Sequence, residues 1–151
     1  MTELDELATG FGRAFLRLHR LLDRRMAENG ASLARTKLLI FVEREGPARA
    51  TDIAELFGQA PRTVTEALDG LERAGQIRRE PDPSDRRVKR VTITEEGRRA
   101  IAATEPLRQR LVEQFFGGLD ATERVQLARI IDKITLAIDA AEDADGIYPR
   151  C

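Results

Sequence analysis

Residues 61–97 read PRTVTEALDGLERAGQIRREPDPSDRRVKRVTITEEG, and this stretch decides the fold. In its first half, Val64, Leu68 and Leu71 recur at steps of three and four residues, which is the spacing of one face of an α-helix. Pro61 suits a first helical position, because its missing N–H would have no partner there. The spacing therefore predicts a short helix from Pro61 to about residue 74.

After Gly75 the apolar and polar residues alternate, and the alternation predicts two strands, 76–80 and 88–93. The seven residues between the strands are rich in proline and aspartate and hold no apolar side chain. We therefore expect an exposed hairpin tip. A short helix followed by such a hairpin is the order of elements in a winged helix.

The chain before this stretch predicts three more helices. Residues 3–28 carry apolar residues at steps of three and four and are expected to form a long amphipathic helix. Ser32 is a predicted N-cap for a second helix, which Gly46-Pro47 ends. Thr51 is a predicted N-cap for a short third helix, 52–57.

Two further helices are predicted after the hairpin. Thr94 caps the first, and Pro106 is expected to interrupt or bend it. The glycine pair at 117–118 separates it from the last helix. That helix has a capping-box pattern at 120–123 and is expected to run to about Ala141.

Together these elements predict a mainly α fold, a winged helix-turn-helix with long N- and C-terminal helices. Four helices come first, then strand, wing and strand, then two helices. We expect residues 32–98 to form the winged helix domain and residues 1–31 and 99–145 to form the long flanking helices. Residues 146–151 are expected to be a flexible tail.

The composition of the 151 residues excludes several classes of protein. With 25 Lys+Arg against 26 Asp+Glu the net charge is −1, so any site for an anionic partner must be local. One histidine and one cysteine cannot supply a metal cluster or an internal disulfide. Because the sequence also holds no phosphate loop or nucleophile–base arrangement, we expect no enzyme activity, no metal and no cofactor.

The sequence also carries no membrane signal. The longest apolar run has five residues, 38–42, whereas a membrane helix needs roughly 20. The N-terminus is acidic and unlike a signal peptide. We therefore expect a cytoplasmic protein with no membrane partner.

Segment 76–90 concentrates positive charge, with six cations against three carboxylates. On an exposed hairpin this is the pattern expected for contact with DNA phosphates. Arginine also suits a narrow minor groove, because its planar fork is desolvated more easily than an ammonium group. The alternative is a solvated charged hairpin. The six cations are Arg78, Arg79, Arg86, Arg87, Lys89 and Arg90.

The first turns of the 61–74 helix carry side chains that suit the recognition of bases. Arg62 matches guanine O6 and N7, and Glu66 matches cytosine N4. Thr63 or Thr65 matches a phosphate or a thymine methyl group. The alternative is the solvent face of an ordinary amphipathic helix.

These motifs resemble the winged helix signature of MarR-type transcription regulators, and the long flanking helices match as well. The resemblance implies a homodimer whose terminal helices interlock and whose two winged domains bind a pseudo-palindromic operator, and it favours a repressor. It is carried by Thr63-Val64-Thr65, 71–75, Arg79, 82–87, Val91, Thr94 and Gly97.

The resemblance also implies roles for individual residues. Arg87 is the wing-tip arginine that enters the minor groove, and Asp85 is the aspartate that orients it, while Arg86 contacts a phosphate. Many relatives carry a basic residue where Glu66 stands, so we expect Glu66 to recognise a base or to brace a neighbouring arginine. The predicted DNA-binding set is Arg62, Thr63, Thr65, Glu66, Arg78, Arg86, Arg87 and Lys89, with Asp85 orienting Arg87.

A homodimer is also expected from the apolar pattern of helices 3–28 and 120–141. Their apolar stripes would leave a large exposed patch on a monomer, which a two-fold mate would bury. The alternative is a compact monomer that folds both helices back on its core. The residues concerned are Leu4, Phe11, Leu18, Ile131, Ile134 and Ile138.

Proteins of the MarR type often release DNA when a small aromatic or phenolic acid binds. The resemblance therefore suggests an effector pocket lined by Phe15, His19, Leu22 and Phe41. The alternatives are core positions for the two phenylalanines and an interface position for His19. Cys151 is expected to be an ordinary terminal thiol, because a redox sensor of this type needs a cysteine near the first helix.

Two classes of function thus compete. The first is a dimeric, sequence-specific DNA-binding regulator. The second is a winged helix that serves only as a protein–protein interaction module. The arginines of the wing tip favour the first class, since a protein-docking wing has no need for them.

Overall fold

A computed structural model describes residues 2–146 of the chain. The order of its elements confirms the mainly helical, winged helix arrangement. The bounds are α1 Glu3–Glu28, α2 Leu33–Glu45, β1 Ala48–Arg49, α3 Ala50–Phe57, α4 Pro61–Arg73, β2 Ile77–Pro81, β3 Lys89–Ile93, α5 Glu95–Phe116 and α6 Ala121–Asp145.

The chain forms two compact units, Met1–Gln109 and Arg110–Cys151, which divide within α5. The predicted flexible tail lies outside the described residues apart from Gly146, and so does Cys151. Within the described residues, no helix is long and apolar enough to cross a membrane.

The three strands form an antiparallel sheet in the order β1-β3-β2. The predicted hairpin is formed by β2 and β3, in which Ile77 lies opposite Ile93 and Glu80 lies opposite Arg90. On the other edge of β3, Arg49 of β1 also lies opposite Arg90. The sheet therefore places the start of α3 directly beside the wing.

The core of the first unit lies between the short helices and the sheet. Ile53 of α3, Val64, Leu68 and Leu71 of α4, and Val91 of β3 are fully buried in one cluster. The three α4 residues are the ones whose spacing predicted a helix face. Their burial fixes which side of α4 remains in solvent.

Side-chain caps determine where several helices begin. The Ser32 Oγ accepts a hydrogen bond from the Arg35 N–H at 3.3 Å, as predicted for the start of α2. Asp120 and Glu123 form the predicted reciprocal capping box at the start of α6, with both bonds at 2.9 Å. Such caps pair backbone N–H groups that the helix itself leaves without partners.

The predicted start of α3 is wrong. The helix begins at Ala50 with Arg49 as its N-cap residue, not at Asp52 with Thr51 as its cap. The cause is β1, which the sequence did not reveal and which pairs with β3 immediately before the helix. A strand of two residues has no alternation from which it could be predicted.

The long helices differ from the predictions at two places. Pro106 does not interrupt α5, which is continuous over Glu95–Phe116, and a bend at Pro106 stays a prediction. A proline removes one backbone donor, and the turns on either side keep their own hydrogen bonds. The last helix does not end near Ala141 but continues to Asp145, where Gly146 follows with a left-handed φ of 66°.

The junction between the wing and α5 depends on Thr94 and Gly97. The Thr94 hydroxyl donates to the Gly75 carbonyl at 2.6 Å and accepts from the Gly97 N–H at 3.1 Å. A Cβ atom at position 97 would lie 2.2 Å from the carbonyl oxygen of Gln76 and 2.7 Å from Cγ1 of Ile93. Only glycine fits here without movement of the backbone.

Replacing Gly97 by alanine should therefore destabilise the protein by about 1–3 kcal/mol, because the new methyl group overlaps a backbone carbonyl that cannot rotate away. The measurement is the free energy of unfolding in denaturant. Gly118→Ala is the control, because a Cβ there meets no atom within 4 Å. A stability loss of the same size in both variants would contradict the explanation.

Candidate nucleic-acid interface

The predicted base-contacting residues lie on the solvent side of α4. Arg62, Thr63, Thr65 and Glu66 are all exposed, whereas Val64 between them is buried. The core contacts of Val64 therefore hold the first turns of the helix in place and turn the polar residues outward. This arrangement is the one that a helix needs in order to reach base edges in a major groove.

Three of these residues already have partners in the free protein. Arg62 Nε lies 3.2 Å from Glu66 Oε1, so Glu66 braces a neighbouring arginine. The Thr65 hydroxyl donates to the Pro61 carbonyl at 2.9 Å. The exposed ion pair adds little to stability.

The six cations of the hairpin fall into two groups. Arg79 and Arg90 are engaged within the protein. Arg79 Nε lies 2.6 Å from Glu72, and its terminal nitrogen lies 2.5 Å from Asp69. The hydrogen bond to Glu72 is the main cause that raises the pKa of Arg79. Arg79 thus ties β2 of the wing to α4.

The other four cations, Arg78, Arg86, Arg87 and Lys89, are exposed. Within residues 2–146, no carboxylate lies within ion-pair distance of any of them. They are the same four wing cations that the sequence analysis assigned to DNA. Their charges are available to an external anion, whereas those of Arg79 and Arg90 are compensated internally.

Asp82 is the exception to the expected exposure of the hairpin tip. Its side chain is fully buried, so the prediction of a wholly exposed tip is wrong at this position. One carboxylate oxygen accepts from the Ser84 N–H at 2.8 Å and from the Ser84 hydroxyl at 2.5 Å. The other accepts from Arg90 Nε at 2.6 Å and lies 3.4 Å from an Arg49 terminal nitrogen.

The burial of Asp82 is explained by these donors. A carboxylate is buried only where hydrogen bonds or cations compensate for its lost water. The hydrogen bonds from Ser84, followed by that from Arg90, hold the pKa of Asp82 well below its usual range. The Asp-Pro-Ser sequence signalled the local turn. The distant partner Arg49 left no signal in the sequence.

Asp85 makes a different contact from the one expected. Its Oδ1 accepts from the backbone N–H of Arg87 at 3.0 Å. Among the described residues, no ion pair joins its carboxylate to the Arg87 guanidinium. In the free protein Asp85 therefore fixes the backbone at Arg87, and its effect on the direction of the side chain stays a prediction.

Three of the four predicted effector residues take part in aromatic ring contacts. The rings of Phe15 and His19 lie 6.1 Å apart on α1. Phe41 instead makes an edge-to-face contact with Phe57, at 5.8 Å, and packs against the core. Leu22 is half-buried. Phe41 thus has the core position that was the alternative, while Phe15 is exposed.

Comparison with known proteins defines the class. The model of the MarR family matches residues 32–89. The HTH-type transcriptional regulator YwhA of Bacillus subtilis (strain 168) is 30% identical to this chain over 120 residues, which is 80% of this chain and 86% of YwhA.

Solved structures show the same fold. MarR aligns with a TM-score of 0.76 at 23% identity, over 93% of this chain and 94% of MarR. MepR of S. aureus, solved in complex with DNA, aligns with a TM-score of 0.71 at 19% identity, over 91% and 98%. Bordetella bronchiseptica BpsR, whose DNA binding is regulated by 6-hydroxynicotinic acid, aligns with 0.73 at 21%, over 89% and 96%.

The fold, the basic wing and the related sequence define a winged helix DNA-binding protein, a transcriptional regulator rather than an enzyme. Within residues 2–146, no group of three or more His, Cys, Asp or Glu side chains is placed to hold a metal ion. The chain belongs to the MarR family.

The contrast between neighbouring arginines of β2 leads to a test. Arg79→Met should lower the free energy of unfolding by about 1–2 kcal/mol, because two charge-assisted hydrogen bonds are lost and solvent partly screens them. Arg78→Met, one residue earlier and exposed, should change it by less than about 0.5 kcal/mol. Denaturant unfolding measures both values.

Binding to a duplex of random sequence, which depends mainly on phosphate contacts, should show the opposite order. Arg78→Met should weaken binding to DNA, because a cation available to phosphate is removed. Equal effects of the two substitutions on stability would contradict the division into internal and external cations.

Proposed function

We propose that this chain is a homodimeric, sequence-specific repressor that binds a pseudo-palindromic operator, with α4 in the major groove and the wing in the minor groove. One observation carries the proposal. Four exposed wing cations without carboxylate partners in the described chain belong to the same compact unit as the exposed polar face of α4. Such a unit can neutralise phosphates and contact base edges together.

In the major groove, α4 supplies the base contacts. Arg62 donates to guanine O6 and N7, and its pairing with Glu66 limits the orientations that it samples before binding. Glu66 either keeps this bracing role or accepts from cytosine N4, and its charge disfavours a phosphate at this place. Thr63 and Thr65 contact phosphate or a thymine methyl group.

In the minor groove, the wing supplies one inserted arginine and several phosphate contacts. Arg87 enters the groove, since its backbone is fixed by Asp85 and its guanidinium is uncompensated in the described chain. Arg78, Arg86 and Lys89 contact phosphates. Arginine in a narrow minor groove senses the width of the groove and the enhanced negative potential there.

The exposed apolar surface supports a homodimer. Among residues 2–146, every exposed large hydrophobic side chain except Leu56 lies on α1, α5 or α6. No residue of α6 is buried, and only Met26 is buried in α1. Helices with so little burial need a partner surface. We assign residues 1–31 and 99–145 to dimerisation and residues 32–98 to DNA binding.

A dimer would present two α4 helices to one face of the duplex. Half-sites of a two-fold symmetric reader lie about 34–36 Å apart, or one turn of B-DNA. Occupation of such a site in a promoter represses transcription in the cytoplasm. A small aromatic or phenolic ligand near Phe15 and His19 would release the DNA, in analogy to the regulation of BpsR by 6-hydroxynicotinic acid.

The test is selection of bound duplexes from a random-sequence DNA pool, followed by sequencing. Recovery of an inverted repeat with half-sites one helical turn apart supports the proposal. Recovery of a single asymmetric site contradicts the dimeric mode of binding. If folded protein at low salt enriches no DNA sequence, sequence-specific binding is contradicted. The alternative function, a protein–protein interaction module, is then favoured.

With the selected operator in hand, Arg87→Ala should weaken binding by about 1–3 kcal/mol, because a specific minor-groove contact is lost. The slope of log K against log salt should become shallower by no more than about 0.9, the value for one phosphate. Fluorescence anisotropy at several salt concentrations measures both quantities. Arg99→Ala, an exposed α5 arginine paired with Glu96, is the control and should leave affinity unchanged. Unchanged affinity of Arg87→Ala would remove this residue from the interface.

A further inference from the structure

A single buried carboxylate joins the wing to the start of the helix-turn-helix. Asp82 opens the hairpin tip, Arg90 lies on the returning strand β3, and Arg49 is the N-cap residue of α3. Both arginines reach the same oxygen of Asp82, Arg90 at 2.6 Å and Arg49 at 3.4 Å. The carboxylate of Asp82 thus interacts both with Arg90 of the hairpin and with Arg49, which lies 33 positions earlier in the chain.

The other oxygen of Asp82 organises the tip itself. It accepts both hydrogen bonds of Ser84. The Asp82 N–H donates to the Val88 carbonyl at 2.8 Å, and the Val88 N–H donates to the Asp85 carbonyl at 3.0 Å. Residues 83–87 are exposed and have no apolar side chain, so polar contacts of this kind are what order them.

The network goes beyond what a stable hairpin requires. Buried ion pairs add little net stability, because desolvation offsets their attraction, but in some proteins they select one geometry. The side chains of Arg49 and Arg90 are 44% and 38% exposed, whereas that of Asp82 is fully buried. Solvent therefore reaches the two cations but not the carboxylate. A tip that is ordered before DNA arrives loses less conformational entropy on binding.

We infer that Asp82 is a positioning residue for DNA recognition. Through Arg49 it holds the wing tip at a fixed distance from α3 and α4. When α4 lies in the major groove, Arg87 is then positioned to enter the minor groove. Asp82 itself touches no DNA. The inference rests on the proposed sequence-specific binding. It adds Asp82 as the residue that fixes the position of the wing relative to α4.

The test compares Asp82→Asn with Glu96→Gln, which removes the same single negative charge from an exposed ion pair of α5. The dissociation constants for the selected operator and for a scrambled duplex are measured at several salt concentrations. Asp82→Asn should weaken operator binding about tenfold or more. It should leave binding to the scrambled duplex unchanged or tighter, because Arg49 and Arg90 are released to phosphates. Glu96→Gln should change neither constant by more than about twofold.

Hydrogen exchange provides a readout that does not depend on DNA. In Asp82→Asn, the amides of residues 82–88 should exchange faster, while those of α6 should not change. If Asp82→Asn fails to fold, Arg49→Lys replaces it, because it keeps the charge and leaves Asp82 paired with Arg90. Arg49→Lys should then reduce the preference for operator over scrambled duplex.

The outcomes separate this inference from the proposed function. A wild-type protein that binds both duplexes equally overturns both. A specific wild-type protein whose preference survives Asp82→Asn, or survives Arg49→Lys where that variant is the one tested, overturns the inference alone. Parallel weakening of operator and scrambled binding also overturns it, because a general loss of structure would then explain the effect.

Discussion

The hydrogen bonds that Asp82 accepts from Ser84, Arg90 and Arg49 constrain the tip of the wing. Residues 83–87 of the hairpin tip are exposed and have no apolar side chain, and the buried carboxylate of Asp82 orders them instead. A second tie, from Arg79 to Asp69 and Glu72, fixes the other wing strand to α4. Wing and helix-turn-helix are thus linked by charge at two places.

The same arrangement explains how a chain with a net charge of −1 can bind a polyanion. What matters for DNA binding is the number of cations without an internal carboxylate partner, not the net charge of the chain. Arg79 and Arg90 hold the wing together, whereas Arg78, Arg86, Arg87 and Lys89 are exposed and are the cations that we propose for phosphates and the minor groove. Arg78 and Arg79 are adjacent in β2, so their side chains lie on opposite faces of the sheet. For this reason Arg79 is paired with carboxylates of α4, whereas Arg78 is exposed.

Strongly periodic elements could be predicted from the sequence. The spacing of Val64, Leu68 and Leu71 indicated α4, and the alternation after Gly75 indicated the hairpin, because each pattern reflects which face is buried. The two-residue β1 and the burial of Asp82 could not be predicted. β1 depends on its pairing with β3, far away in the chain. The burial of Asp82 depends on Ser84 and Arg90 and also on the distant Arg49, and a distant contact leaves no local pattern.

The central claim is that α4 and the wing bind DNA as one unit, duplicated by two-fold symmetry. Chemical footprinting of the protein on its selected operator tests it most directly. Methylation protection at guanine N7 reports α4 in the major groove, and hydroxyl-radical protection reports the wing in the minor groove. The account predicts both signals in each half-site at a constant offset, repeated about 10 base pairs apart. Major-groove protection without minor-groove protection, or protection of a single half-site, would contradict it.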